Sequence, residues 1–257
     1  MMKCLALLLT VCLNLGLMPM AAIPTVAETG NTEGSTESGT VEWKEVASLV
    51  ELTTALGNGS KNLRLMSDID LGGKTVTVGG MCKGSGMIHP NMCTMLGFVT
   101  TDAAISKEML QKALSANIKD TFNMVSVDGD TSTNDTVLLL ANGMAGNLEI
   151  TEEGADFDKF MEALNYINTC LSKKIAGDGE GATALFEVKI LGAKTKEDAV
   201  TLSKSVVTSS LTKAAIYGHD ANWGRILCAM GYSGVQFDPE KVDLYFESRA
   251  GKLKIIE

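Results

Sequence analysis

The chain has 257 residues, with 22 Lys and Arg against 31 Asp and Glu, a formal net charge of −9 and an apolar fraction of 45%. These values fit a globular protein and exclude wholesale disorder, and the pI near 4.9 excludes the basic footprint of a nucleic-acid binder. Two histidines, His89 and His219, are too few for a zinc site of several imidazoles, and aromatics at 5% do not suit a stacking platform for bases or sugars.

In chain order, Lys3 is followed by an apolar run from Leu5 to Leu17 and by small residues at Ala21, Ala22 and Ala27. A positive start, a short apolar core and small residues at a cleavage site are the layout of a secretory signal peptide, expected to be cut after Ala22 or Ala27. The competing reading is a buried N-terminal helix. The run is short for a transmembrane helix. Cys12 lies inside the apolar core, so a lipid anchor is not indicated. Residues 28–40 are Gly, Ser, Thr and Glu with one Asn and no apolar residue, which predicts a flexible linker.

In residues 41–71 the spacing of Trp43, Val46, Leu49, Leu52 and Leu56 predicts a short amphipathic helix, and Asn62–Leu71 alternates like a strand. This piece resembles the first coil of extracellular parallel β-helix domains. Lys74–Val78 then reads as a strand leading into an irregular segment from Gly79 to Leu96, with glycines at 79, 80, 84 and 86. Its order does not match a P-loop or a dinucleotide-binding G-x-G-x-x-G. It offers three nucleophiles, Ser85, Cys93 and Thr94, and a His89–Cys93 pair that Pro90 makes hard to place on one helix. On residue chemistry alone none of the three prevails.

Gly97–Asp102 predicts a strand, Ser106 caps a helix over Lys107–Lys119, and Asn123–Val127 predicts another strand. Asp128–Asp135 is rich in carboxylates, hydroxyls and carboxamides. Thr133 and Leu139 stand where an EF-hand needs Gly and Glu, which leaves a capping turn, a small polar substrate or a network supporting a nucleophile. Ala155–Ile175 has clear helical periodicity, Leu185–Leu191 a strand, and Thr195 with Asp198 a capping box that opens a helix to about Leu211. Gly218–Gly224 reads as a polar loop, and Val242–Phe246 with Lys252–Ile256 as a hairpin. No two of the six cysteines have C-x-x-C spacing, so they read as buried thiols rather than a metal or redox motif. Strands and helices alternate in an α/β (α+β) body.

Three segments, Gly80–Leu96, Ser126–Gly143 and Tyr217–Leu227, together resemble the ornithine acetyltransferase family, also called glutamate N-acetyltransferases. The similarity runs from about Gly72 to Glu257, residues 72–93 matching the end of the family's α part and residues 94–257 its β part. The resemblance implies a layered helix–sheet fold of the amino-terminal-threonine autoprocessing type, incomplete here. It implies autocleavage between Cys93 and Thr94, with Thr94 as catalytic nucleophile, Lys83 binding a substrate carboxylate and Glu180 the amine of ornithine. The reaction implied is acetyl transfer from N-acetylornithine to glutamate, with acetyl-CoA as a further co-substrate, no bound cofactor, no metal, and α and β pieces that stay associated. Family members are cytoplasmic, with no nucleic-acid partner and, once the leader is removed, no membrane partner, whereas the N-terminal segment points to export.

The departures are equally specific. Cys93 replaces the family's alanine before the nucleophile, Ala184 replaces a lysine, and the family's N-terminal threonine–glycine oxyanion pair and its C-terminal stretch have no counterpart. The alternatives are a non-catalytic, exported or chimeric fragment and an amino-terminal-threonine amide hydrolase.

Overall fold

The computed structural model describes residues 5–12, 44–46, 63–84, 86–89, 95–131 and 133–256. Strand β1 is Leu5–Cys12, β2 is Lys44–Val46, β3 is Leu63–Leu71, β4 is Lys74–Lys83, β5 is Leu96–Thr101 and β6 is Thr136–Ala141. Strands β2 to β6 form one sheet in chain order, antiparallel at β3/β4 and β4/β5 and parallel at β2/β3 and β5/β6. The β3/β4 turn is tight because Gly72 and Gly73 both take positive φ, and Asp70 Oδ1 accepts the N–H of Gly73 at 2.7 Å.

Helix α1, Lys107–Asp120, makes the crossover between the parallel strands β5 and β6, and the hydroxyl of Ser106 caps it at the N–H of Met109. Helix α2, Ala155–Gly177, lies on β3 and β4 and contributes Phe157, Phe160, Leu164, Ile167 and Leu171 to the core. It comes so close to the sheet that a Cβ on Gly80 would stand 2.9 Å from Leu171 Cδ1. On the sheet side this core is closed by Val76, Val78, Val99 and Val137.

A second sheet has the order β7-β1-β8-β9, with β7 at Leu185–Leu191, β8 at Val242–Ser248 and β9 at Gly251–Ile256. Its core face packs on α3 (Lys196–Thr208), α4 (Ser210–Tyr217) and α5 (Trp223–Gly231), through Leu202, Val206, Ile226, Met230, Val242 and Leu244. Among the described residues no helix is long and apolar enough to cross a membrane.

Several elements differ from the sequence expectation. The apolar run near the N-terminus contains a strand, not a helix: β1 pairs antiparallel with β7 and parallel with β8. Lys44–Val46 is a strand where helical spacing was expected, and the rest of that predicted helix lies outside the described residues. The irregular glycine segment begins later than its composition suggests, because β4 continues through Gly79 and Gly80 to Lys83. Both glycines lie within the strand, and Gly80 serves close packing against α2 and not a turn. The predicted strand Asn123–Val127 is instead a 3-10 turn at Phe122–Met124, after which Val127 N donates to the Ile88 carbonyl at 2.6 Å, and no strand is formed there among the described residues. The helix opened by Thr195 breaks at Ser209, whose hydroxyl starts α4 by accepting from Thr212 N. Helix α5 begins at Trp223, inside the predicted loop, with Asn222 as its cap. Of the described cysteines Cys170 is buried and Cys82 half-buried, while Cys228 is exposed, unlike the buried thiol expected there.

Candidate active site

The β4/β5 connection carries the candidate chemistry. Lys83 ends β4 as an exposed residue, directly opposite Leu96 at the start of β5. Thr94, Cys93 and Ser85 lie outside the described residues, so the site is defined by the arms that flank them: Gly84, Gly86 to His89, and Met95.

Both arms are held by one polar segment. The Asp128 carboxylate accepts the N–H of Met87 at 2.6 Å and that of Ile88 at 3.0 Å. These bonds hold Met87 at φ 57°, an uncommon conformation for a residue with a side chain. Ile88 is fully buried and its carbonyl accepts Val127 N at 2.6 Å. On the other arm, the Met95 N–H donates to Asp135 Oδ1, and the Met95 carbonyl accepts Thr136 N at 2.8 Å. Asp128 and Asp135 thus bracket the loop, one on each arm, and Met95 is the residue next to Thr94. The second oxygen of Asp135 is buried without a hydrogen-bond partner among the described residues, and burial raises this carboxyl above its ordinary pKa. What the contacts show for Asp128–Asp135 is a polar segment bonded to both arms of the β4/β5 connection.

Glu180 comes to the same place from the far end of α2. One of its carboxylate oxygens lies 2.7 Å from where a Cβ on Gly86 would stand. Glu180, from a distant segment, therefore lies directly against the loop at Gly86. His89 Nδ1 shares a hydrogen bond with Ser126 Oγ at 3.0 Å. Burial, and then the Lys204 charge, lower the His89 pKa below its ordinary value. His219 takes φ 55° in the turn after α4 and lines a separate cavity of about 380 Å³ with Phe246 and Lys252.

Beside the loop opens a cleft of about 950 Å³ between α2, β7, α3 and α4, with Glu180, Ser126, Lys204 and Lys213 on its walls. Lys213 donates to the Ser126 carbonyl at 3.0 Å and stands 5.4 Å from the Phe186 ring centre, while Lys204 donates to the Asn123 carbonyl at 2.9 Å. Burial lowers the pKa of both lysines. These two were missed in the sequence, where they are ordinary polar positions of amphipathic helices. Among the described residues no cluster of three His, Cys, Asp or Glu side chains is placed to hold a metal ion.

A family model described as the ArgJ family matches residues 33–257. The chain belongs to the ArgJ family. The match begins well before Gly72, so it includes the β3 segment that by itself resembles a β-helix coil. The chain is 53% identical over 189 residues to the arginine biosynthesis bifunctional protein ArgJ of Thermotoga neapolitana, a match covering 74% of this chain and 48% of that protein. With ArgJ 1 of Clostridium acetobutylicum it shares 56% identity over 181 residues, covering 70% of this chain and 44% of the relative. The crystal structure of ArgJ from Bacillus halodurans superposes with a TM-score of 0.53 at 50% identity, covering 57% of this chain and 69% of that one. The chain therefore spans about half the length of the curated relatives it matches. The mixed α/β, layered helix–sheet class expected from the sequence is the class observed.

Proposed function

We propose that this chain carries the acetyl-transfer half-site of an ArgJ-type enzyme, moving acetyl from N-acetylornithine to glutamate through Thr94. The observation that carries the reading is the bracketed loop: Asp128 and Asp135 fix both arms of the segment containing Thr94, and Glu180 lies against Gly86 within it. Holding a reacting group in one geometry removes much of the entropy cost of the reaction.

The chemistry begins with maturation. The Thr94 hydroxyl attacks the Cys93 carbonyl, the Cys93–Thr94 C–N bond breaks, and an ester forms as the Thr94 nitrogen is released. Water opens that ester to a Cys93 carboxylate and a free Thr94 hydroxyl and amine. An α-amine titrates at about 7.7–8.0, so it serves as base for its own hydroxyl near neutrality without a histidine. Thr94 then takes acetyl from N-acetylornithine, releasing ornithine, and the acetyl ester is attacked by the glutamate amine to give N-acetylglutamate. Acetyl-CoA is a second donor to the same hydroxyl. Lys83 pairs with the substrate carboxylate and Glu180 with the ornithine side-chain ammonium. The α and β pieces stay together after the cut through the continuous β4–β5 pairing on either side of it.

The half-length match favours a second reading, in which this chain alone does not turn over because oxyanion donors lie in the part of the family it does not span. Removing one such donor costs on the order of 10²–10³ in rate. Intact mass and a denaturing gel test the first step. Two fragments meeting at Cys93–Thr94, absent in Thr94→Ala, support the proposal. An intact chain with no acetyl transfer from N-acetylornithine to glutamate, alone or with added family segments, defeats it. N-terminal sequencing of protein from a secreting host tests the leader: processing after Ala22 or Ala27 removes β1, and an unprocessed terminus leaves β1 in the sheet.

A further inference from the structure

Past the 3-10 turn at Phe122–Met124, residues 125–128 join no helix and no sheet ladder. Backbone carbonyls in such a segment need donors from elsewhere. Two donors come from the helices of the second sheet. Lys204 of α3 donates to the Asn123 carbonyl at 2.9 Å, and Lys213 of α4 donates to the Ser126 carbonyl at 3.0 Å. An ammonium is a stronger donor than a neutral group, and its flexible stem reaches across a gap between backbones. Among the described residues these two are the hydrogen bonds that tie residues 123–128 to α3 and α4, and neither lysine is in a salt bridge.

The tied segment grips one arm of the candidate loop. Ser126 Oγ shares a hydrogen bond with His89 Nδ1 at 3.0 Å, and Val127 N donates to the Ile88 carbonyl at 2.6 Å. The Asp128 carboxylate accepts the N–H of Met87 at 2.6 Å and that of Ile88 at 3.0 Å. Ser126, Val127 and Asp128 thus meet Met87, Ile88 and His89, and Lys213 bonds to the first residue of the grip. A shift of the segment by about 1 Å away from the arm would take both Asp128 bonds out of hydrogen-bond range.

We infer that Lys213, with Lys204 beside it, is a positioning residue for the Thr94 loop: it fixes Ser126–Asp128 so that the Asp128 carboxylate keeps the Met87–His89 arm in place. Other lysines of the same cleft differ. Lys173 pairs with Glu187, and Lys189 is exposed on β7 with no hydrogen bond to the segment among the described residues. The inference extends the Thr94 reading to the helices that steady the loop, and its bearing on the reaction rests on that reading.

The test is residue-resolved hydrogen exchange on the full chain carrying Lys213→Met, Lys213→Arg, Lys204→Met or Lys189→Met. The amides of Met87 and Ile88 read the grip, and those of Ile167 and Leu171 in α2 read the fold as a whole. In Lys213→Met the Met87 and Ile88 amides should exchange about tenfold faster with Ile167 and Leu171 unchanged, because the opening is local. Lys204→Met should act in the same direction by a smaller factor, while Lys213→Arg and Lys189→Met should match the parent chain. The His89 imidazole, followed by NMR, gives a second reading. Burial and the Lys204 and Lys213 charges lower its pKa while Asp128 raises it, so it should rise in Lys213→Met and not in Lys213→Arg.

Where the parent chain cleaves at Cys93–Thr94, cleavage should slow about tenfold in Lys213→Met and recover in Lys213→Arg. A parent chain that does not cleave defeats the Thr94 reading, and the exchange result still decides whether the lysines hold the arm. The inference is overturned if exchange at Met87 and Ile88 is unchanged in folded Lys213→Met, or if Ile167 and Leu171 speed up by the same factor. It is also overturned if Lys189→Met has the same effect, or if cleavage keeps the parent rate despite faster exchange. Should Lys213→Met fail to fold, Lys204→Met decides in its place, and failure of both to fold overturns the inference.

Discussion

The two sheets of this molecule solve the same problem differently. Each buries one face on helices, α1 and α2 for the five-stranded sheet and α3 to α5 for the four-stranded one. On the outer face of the second sheet, charged side chains pair across strands and over Tyr245. On the outer face of the first, Met81, Phe98 and Leu138 stand in a row, with Leu140 exposed beside it. The comparison teaches that exposure by itself does not identify a solvent face. The chemistry of the exposed positions does, because an apolar row gains little from water and much from a partner.

The contrast can be broken most severely from the covered side. Leu171→Ala, at a position 2% exposed, should cost about 2–5 kcal/mol in chemical denaturation. Leu138→Ala on the bare face should shift stability by no more than about 0.5 kcal/mol. Equal losses would mean that the outer face is packed after all. Gly80→Ala should be next, at about 1–3 kcal/mol, because its methyl would meet Leu171 Cδ1 at 2.9 Å, Ile167 Cγ2 at 3.1 Å and the Phe98 carbonyl at 3.3 Å. Asp128→Ala strands the Met87 and Ile88 N–H groups and should cost about 1–3 kcal/mol while slowing any cleavage at Cys93–Thr94. Cleavage at an unchanged rate would show that the bracket does not position the loop.

The smaller effects come from the charged groups. Removing the Lys254–Asp243 pair with Asp243→Asn should change stability by about 0–1 kcal/mol, less at high salt. The His89 pKa is lowered in the fold, so the unfolded chain binds the proton more readily. The His89 contribution is therefore fully present above the unfolded pKa of about 6.5 and is lost as pH falls from there through the folded value. His89→Gln should flatten that part of a stability–pH profile, and an unchanged slope between the two proteins would rule His89 out as its source.

Local signals reached far in this sequence. The periodicity of Ala155–Ile175, the hydroxyl cap at Ser106 and the hairpin ending in Lys252–Ile256 all correspond to elements of the fold, because propensity, capping and apolar spacing act within a few residues. They failed where a partner decides the outcome. Residues 123–127 read as a strand but form no ladder among the described residues, and Gly79–Gly80 look like a loop but are strand, with Gly80 facing a close helix. The apolar run at Leu5–Cys12 reads locally as a leader or a helix, and only the slot between β7 and β8 makes it a strand.

The sequence by itself determined the family, through three long motifs, and with it the candidate residues Lys83, Thr94 and Glu180. It also determined most helices, whose hydrogen bonds close within four residues. Only the tertiary structure decided that Asp128 and Asp135 hold the two arms of one loop, and that Glu180 reaches Gly86 within it. It alone decided that Met81, Phe98 and Leu138 share one exposed face. The loop contacts join positions forty or more apart in the chain, as with Met87 to Asp128 and Met95 to Asp135. No local pattern encodes them, because the energy that fixes them is gained only when the packed elements bring both partners together.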